Sequence, residues 1–135
     1  MSLTLAQANA LADSVFAEAT RLGLSVSCSV VDLASAELAT QRMDSAPAFT
    51  AGIARSKASS AAAMLRDTEE IAVLKDRVPE VIDLVAGQVG FAFTTLKGGI
   101  VIRVGGALVG AIGVSGASSD EDVQLARHAV AAVLT

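Results

Sequence analysis

The sequence is poor in aromatic residues and contains one cysteine and one histidine. Four of the 135 residues are aromatic, all of them Phe, and neither Trp nor Tyr occurs. The single Cys28 excludes a disulfide within the chain and any site in which several cysteines of one chain hold a metal. The single His128 excludes a site with several histidines of one chain. Side chains of the kinds that usually hold iron in proteins are therefore scarce.

Long apolar runs and blocks of positive charge are also missing. The formal net charge is −4, and the absence of a basic patch argues against nucleic acid as a partner. Apolar runs are broken by Gly, Ser or charged residues, so we predict no membrane span. Residues 1–7 lack the basic segment of a secretory signal, which makes a cytoplasmic setting our expectation. The length predicts one domain covering residues 1–135, and 53% hydrophobic residues provide a sizeable core.

Two capping boxes predict where the first and last helices begin. Thr4 with Gln7, and Ser118 with Glu121, have the spacing at which a hydroxyl and a carbonyl-bearing side chain satisfy the free N–H groups of a helix start. Apolar residues at helical spacing follow each box, and Gly23 is a natural C-terminal stop. We predict helices over about 4–22 and from 118 to near the end.

Alternating and glycine-punctuated segments predict five strands. The first alternates apolar residues with serines, and the last two flank Gly105-Gly106, the two-residue signal of a hairpin. The predicted strands cover 25–32, 38–44, 89–95, 100–104 and 107–115.

The middle of the chain is rich in Ala and Ser and predicts further helices. Pro47 suits a first helical turn, and 48–65 has few β-branched residues. Asp67 and Glu70 form a second cap-like pair, and Pro79 either opens or kinks another short helix. The element order is α-β-β-α-α-β-β-β-α. Because tight turns join antiparallel strands, the fold class is α+β with an antiparallel sheet.

The glycines near the C-terminus do not form a nucleotide-binding loop. Gly110, Gly113 and Gly116 are three apart on the last strand, whereas a dinucleotide fingerprint follows the first strand of a βαβ unit. No Gly-Lys-Ser/Thr occurs, and the acids at 120–122 would repel a phosphate at the helix start. We predict a glycine-rich strand that the helix at 48–65 approaches closely.

Six residues carry groups suited to binding or proton transfer. Arg42 and Asp44 share a strand face, where Arg offers a planar fork and Asp an acceptor, or form an exposed ion pair. Lys57 is a mobile ammonium or a solvated helix residue. Asp32 is a proton carrier or a turn former. Gly98-Gly99 is an anion-binding nest or a plain loop.

Six stretches resemble the GlcG/HbpS-like family, which includes the C-terminal domain of PduO-type corrinoid adenosyltransferases. They are LTLAQANAL (3–11), VVD (30–32), RMDSAP (42–47), ARSKASSAA (54–62), GGIVI (98–102) and VGAIGVSGASSDEDVQLAR (109–127). The resemblance covers nearly the whole chain. It implies a profilin-like fold with a five-stranded antiparallel sheet between helical layers, homo-oligomers, and haem or another tetrapyrrole as ligand.

The chain departs from the family pattern in two places. After the aspartate of VVD the family often has Gly-Gly and a polar residue, sometimes His, whereas Ala34, Ser35 and Ala36 stand here. Val101 replaces the proline of the family's GGxPI.

Three functions stay open at this point. The first is an oligomeric protein that binds a small polar or anionic ligand or a tetrapyrrole. The second is a cofactor-independent isomerase or tautomerase for a carboxylate-bearing metabolite, with Asp32, Asp44 or Lys57 moving a proton and Arg42 and the Gly98-Gly99 amides holding an oxyanion. The third is an accessory subunit.

The site residues carry one joint prediction. We expect Arg42, Asp44, Lys57 and Gly98-Gly99 to border one pocket. We also expect Lys57→Ala to leave folding nearly intact, because a lysine at a pocket rim adds little to stability. Cys28 is expected to be inert core and His128 structural.

Overall fold

The computed structural model describes residues 2–134. Its helices and strands, in chain order, are α1 (Leu5–Arg21), β1 (Ser27–Asp32), β2 (Glu37–Arg42), α2 (Phe49–Met64), α3 (Thr68–Arg77), α4 (Pro79–Gln88), β3 (Gly99–Val104), β4 (Ala107–Ser115) and α5 (Ser119–Leu134). Pro79 thus opens a separate helix rather than kinking one.

The sheet is antiparallel throughout, with strand order β2-β1-β4-β3. The predicted hairpin turn joins β3 to β4, and Gly105 and Gly106 have φ values of 59° and 82°. Two consecutive positive φ values suit glycine and match the twist of the flanking strands. The α+β antiparallel class is therefore confirmed.

Helices cover both faces of the sheet. Val26, Cys28 and Val30 point into the larger core, where they meet α1 and α5. The intervening Ser27 and Ser29 face the other way and are also fully buried. Their hydroxyls are satisfied by the hydroxyls of Thr50 in α2 (2.8 Å) and Thr40 in β2 (2.7 Å). Hydrogen-bonded hydroxyls can be buried at little cost, so alternation of apolar and serine residues does not mean one wet face here.

Helix α2 packs unusually close to the sheet, as the glycine-rich strand predicts. A methyl group added at Gly113 would lie 2.7 Å from the backbone nitrogen of Ala58 and nearer still to the carbonyl oxygen of Ala54. Ala58, Ala61 and other small residues of α2 form the second core with β1 and β4. Helix α2 can approach the sheet this closely because Gly113 has no side chain.

The prediction of five strands is wrong, because the sheet of residues 2–134 has four. The segment 89–95 is irregular and runs past α2, where the Thr94 N–H donates to the hydroxyl of Ser60 (3.0 Å). The outer edge of β3 is instead covered by the start of α3. The N–H of Gly99 donates to the Thr68 hydroxyl (3.0 Å) and that of Val101 to the Asp67 carboxylate (2.9 Å).

The side chains of Asp67 and Thr68 take the place of a fifth strand, because they accept hydrogen bonds from the N–H groups that a pairing strand would use. Asp67 consequently makes no side-chain cap for its own helix, although it stands at the N-cap position.

The two capping boxes predicted at Thr4 and Ser118 are both confirmed. Thr4 and Gln7 exchange hydrogen bonds of 2.9 and 3.1 Å, and Ser118 and Glu121 exchange bonds of 3.1 and 3.2 Å.

Candidate functional site

Lys57 is buried, which the sequence does not predict. Its side chain is only 4% exposed and passes from α2 toward the ends of β4 and α5. The ammonium donates to the carbonyl oxygen of Val114 (2.8 Å) and to the carboxylate of Asp122 (3.1 Å). Neither the solvated helix residue nor the exposed pocket-rim lysine matches this environment. The expectation that Lys57→Ala leaves folding nearly intact assumed a lysine at a pocket rim, whereas the structure shows a buried one.

Asp122 is a candidate site residue that sequence reasoning missed. It is one of three acids at the start of α5, and it alone of the three is buried, with 3% exposure. One carboxylate oxygen accepts from Lys57 and the other from the Ala117 N–H (3.0 Å). Burial raises the pKa of the Asp122 carboxyl, and the Lys57 charge and the Ala117 N–H act against that rise. The capping box of Ser118 and Glu121 already accounts for the start of α5, so no local pattern singles out Asp122.

The Lys57–Asp122 pair forms the floor of a small cleft, which we call the Lys57 cleft. Its volume is about 280 Å³, and its lining residues are Pro47, Phe49, Thr50, Ile53, Lys57, Leu96, Ser115, Gly116, Ala117, Ser119 and Asp122. The apolar members form much of the rim, and Phe49 and Leu96 are 67% and 55% exposed. Apolar side chains around a few converging polar groups are typical of a small-molecule site.

Ser115 contributes a hydroxyl with no hydrogen-bond partner among residues 2–134. The residue is 6% exposed and lines the cleft at the end of β4. Its neighbour in the ladder is Ser27, whose hydroxyl is already bonded to that of Thr50. The Ser115 hydroxyl is therefore available to a bound molecule.

Gly98-Gly99 packs against Lys57 but does not form an open nest. Gly98 has φ 121°, and a methyl group there would lie 2.8 Å from the Lys57 ammonium nitrogen and 2.7 Å from the Val114 oxygen. The Gly99 N–H is already donated to Thr68 (3.0 Å). Gly98 thus makes room for the lysine side chain and Gly99 for the Lys57 backbone carbonyl and the Thr68 side chain, and the Gly99 amide is not free for an anion.

Arg42 and Asp44 lie beside the cleft, not in its lining. Arg42 ends β2 and pairs with Ser27, which in turn pairs with Ser115, so all three stand at one end of the sheet. The Arg42 guanidinium donates to the Ala46 carbonyl (2.8 Å) and so holds the loop before α2. Asp44 is exposed, and no ion pair within residues 2–134 joins it to Arg42.

Asp32 lies at the other end of β1 from the cleft. Five residue steps separate it from Ser27, about 16 Å at the usual rise of a strand. Its carboxylate accepts from the N–H groups of Ala34 (2.8 Å) and Ala36 (3.0 Å), which is the turn-forming role. Of the predicted site residues, the structure thus brings Lys57 and Gly98 together and leaves Asp32 apart.

Cys28 and His128 occupy the places that the sequence predicts. Cys28 is fully buried in the core, and burial raises the pKa of its thiol to about 12. His128 is half exposed on α5, with its Nε2 atom 3.1 Å from the Glu18 carboxylate of α1. It stands with α1 and α5 on the face of the sheet opposite α2.

A second concave surface runs along the outer face of α2, and we call it the α2 groove. Two adjoining hollows of about 570 and 540 Å³ form it. They are lined by Leu33, Ala34, Ser35, Phe49, Gly52, Ile53, Arg55, Ser56, Ser59, Ala63, Val89, Gly90, Phe91 and Ala92. Arg55, which is 3.4 Å from the Glu37 carboxylate, is the cation of this groove. Phe49 and Ile53 border both the groove and the Lys57 cleft.

Two further kinds of site are absent from residues 2–134. No group of three or more His, Cys, Asp and Glu side chains there is arranged to hold a metal ion. None of the helices in that range combines the length and apolar character needed to cross a membrane.

Comparison with known proteins places the chain in one family. Residues 3–131 match the model of a family described as haem degrading protein HbpS-like. An uncharacterized 15.0 kDa protein from the dhaT-dhaS intergenic region of Citrobacter freundii is 31% identical, over 96% of this chain and 90% of its own. The corrinoid adenosyltransferase PduO of the same organism is 29% identical over 98% of this chain, which spans only 39% of that relative.

Solved structures agree with this placement. A double mutant of HbpS from Streptomyces reticuli superposes with a TM-score of 0.87 at 33% identity, over 98% of this chain and 88% of its own. A PduOC:heme complex superposes with a TM-score of 0.85 at 28% identity, over 98% of this chain and 96% of its own. The resemblance carried by the six stretches is therefore confirmed.

Proposed function

The chain belongs to the HbpS-like family, and from that premise we propose that it binds a tetrapyrrole in the α2 groove. The observation that carries the proposal is the similarity, along nearly the whole chain, to a structure solved as a heme complex. The groove supports it with an apolar wall on α2 and Phe91 opposite. Flat ligands favour such aromatic and aliphatic walls.

The groove residues fit the macrocycle better than they fit its iron. Arg55 offers a planar fork of donors to a carboxylate side arm, and its ion pair with Glu37 is exposed and weak. No imidazole, thiolate or phenolate lines the groove. Ala34 and Ser35, which border it, stand where the family often has Gly-Gly, and Ala36 stands where it sometimes has a histidine. We therefore assign recognition to the ring and its carboxylates, with haem and iron-free porphyrin as equivalent ligands.

Absorbance titrations with haemin and with iron-free protoporphyrin IX test this function. Both should bind saturably with affinities within about threefold, and Arg55→Glu should weaken both, since it places a like charge beside their carboxylates. Arg103→Glu, at an exposed arginine on the β3–β4 hairpin, is the matched control. Absence of binding refutes the function. A preference of more than about tenfold for haemin refutes recognition without the iron.

We further propose that the chain forms a homo-oligomer in the cytoplasm. Helix α4 packs on α3 and on no other helix or strand of residues 2–134. The surface of this helix pair exposes Val73 (57%), Val78 (42%), Val81 (51%) and Leu84 (64%). Exposed apolar patches of this kind mark interfaces. Light scattering of the purified chain should give a mass above 13.6 kDa, and Leu84→Lys should lower it more than Leu5→Lys on α1.

A second candidate function is isomerisation or tautomerisation in the Lys57 cleft. The observation that favours it is the buried Asp122 carboxyl with its raised pKa beside an ammonium, a pairing suited to proton transfer. Asp122 would take the proton next to a carbonyl, the C–H electrons would form the enol double bond, and the carbonyl oxygen would gain a proton from Lys57. In a hydroxycarbonyl compound, Asp122 then returns the proton to the former carbonyl carbon while the neighbouring hydroxyl gives its proton to Lys57, which forms the new carbonyl and restores both side chains.

Hydrogen exchange tests this second candidate. Hydroxyacetone and pyruvate in D₂O should lose their exchangeable C–H signals faster with the protein than without it, in at least one of the two. Asp122→Asn should remove the acceleration. Equal exchange with and without protein, for both compounds, refutes the activity.

A further inference from the structure

We propose that the Lys57 cleft is a second binding site, separate from the tetrapyrrole function, and that its ligand is a short uncharged hydroxycarbonyl compound. The site requires neither an occupied α2 groove nor turnover. Three observations carry it: a donor set with unused capacity, a floor whose charges cancel, and a small volume with an apolar rim.

The floor has hydrogen-bonding capacity that the protein does not use. Lys57 has three N–H donors, of which two go to Val114 and Asp122. The Ser115 hydroxyl has no partner among the described residues although the residue is more than nine-tenths buried. The carboxylate of Asp122 accepts two bonds and has lone pairs left. The cleft therefore offers two donors for a carbonyl oxygen and one acceptor for a hydroxyl.

The charges of the floor select an uncharged ligand. The Lys57 ammonium is matched by the Asp122 carboxylate at 3.1 Å, and both are almost fully buried. A ligand carboxylate entering the cleft would lie near Asp122, and two carboxylates sharing a site repel. A ligand cation would lie near Lys57 with the same result. Arg42, the fork that the sequence assigned to a ligand carboxylate, lies outside the lining of the cleft and donates to the Ala46 carbonyl.

Size and rim limit the ligand further. The cleft volume of about 280 Å³ lies just below the range of roughly 300–1,000 Å³ for drug-sized ligand sites. Pro47, Phe49, Ile53 and Leu96 provide carbon surface around the polar floor. A compound of three or four carbons with adjacent carbonyl and hydroxyl groups fits within this volume and matches the polar floor and the carbon surface of the rim.

Amide NMR of the ¹⁵N-labelled chain, with hydroxyacetone as the probe, tests the proposal. The Gly116 and Ala117 signals should shift saturably with a Kd on the order of millimolar, as suits so small a ligand. Lactate, which replaces the ketone by a carboxylate, should bind at least about tenfold more weakly. Ser115→Ala should weaken hydroxyacetone binding about fivefold or more, and Ser115→Leu, which fills the cleft, should abolish it.

Two control variants locate the effect. Ser14→Ala, on α1 across the sheet, and Arg55→Glu, in the α2 groove, should both leave hydroxyacetone binding unchanged. No saturable shift, equal binding of lactate, or wild-type binding by Ser115→Ala overturns the site. Loss of binding in Arg55→Glu places the ligand in the groove and also overturns it. Porphyrin titrations are read separately, so failure of one site leaves the other interpretable.

Discussion

Replacement of Lys57 by methionine should strongly destabilise the protein. Methionine keeps much of the length of the side chain and removes the ammonium, which leaves the Asp122 carboxylate and the Val114 carbonyl without that donor. Breaking a buried ion pair by removing one partner costs about 3–5 kcal/mol, because an uncompensated charge remains. A native domain has only about 5–15 kcal/mol in total. The variant should therefore lose a large part of its free energy of unfolding.

The loss should depend on pH in a defined direction. Burial already raises the pKa of Asp122 in the folded protein, and the Lys57 charge acts against the rise. Without Lys57 the folded-state pKa rises further, while the unfolded value stays near its ordinary 3.9. Below the unfolded pKa both states hold the proton, so the unpaired charge costs nothing. The deficit then grows as the pH rises and reaches its full size above the folded-state pKa.

Urea unfolding followed by far-ultraviolet circular dichroism measures both effects, since the chain has no Trp or Tyr for fluorescence. The deficit of Lys57→Met should be larger at pH 8 than at pH 4. Adding Asp122→Leu should recover most of it, because both buried charges are then gone. Lys97→Met, which breaks an exposed pair with Asp120 (3.6 Å), should cost less than about 1 kcal/mol. A deficit below about 1 kcal/mol for Lys57→Met, or one equal at both pH values, would refute the reasoning.

Three further predictions concern packing and the sheet edge. Gly113→Ala should lower the free energy of unfolding in urea by about 1–3 kcal/mol, because the added methyl group meets the α2 backbone. Gly87→Ala in α4 is the control: its methyl group meets nothing, and the free energy of unfolding should rise by about 0.4–1 kcal/mol. Cys28 should resist alkylation at pH 8 in the folded protein and react on unfolding, because its thiol is buried with a pKa of about 12; prompt labelling of folded protein contradicts this. Thr68→Val should cost about 1–3 kcal/mol by leaving the Gly99 N–H unpaired, and an unchanged unfolding midpoint would contradict that assignment.

Local signals in the sequence were enough to predict much of the fold. The capping boxes at Thr4 and Ser118 and the Gly105-Gly106 turn depend on residues within a few positions of each other, and the structure confirms each one. The close approach of α2 to Gly113 was also predictable, because a glycine in a strand interior requires a nearby backbone.

The errors involve partners that are far apart in the chain. Segment 89–95 has strand-forming residues, but the β3 edge it would pair with is occupied by Asp67 and Thr68 from α3. The burial of Lys57 depends on Asp122, 65 residues away, which no helical spacing reveals. The joint pocket of Arg42 and Lys57 remains a prediction, with the lining of the cleft placing Lys57 inside and Arg42 beside it.

The tight packing of α2 and the buried ion pair have one cause. Gly98 and Gly113 remove side chains from the surface on which α2 rests, which lets the helix backbone lie close to the sheet. The Lys57 side chain lies against Gly98, and its buried ammonium reaches the Val114 carbonyl at the end of β4 and the Asp122 carboxylate. Small residues thus make room for the ammonium of the ion pair that forms the floor of the cleft. The same helix presents its opposite side, with Arg55, to the α2 groove, so the two proposed sites are arranged around a single rigid element.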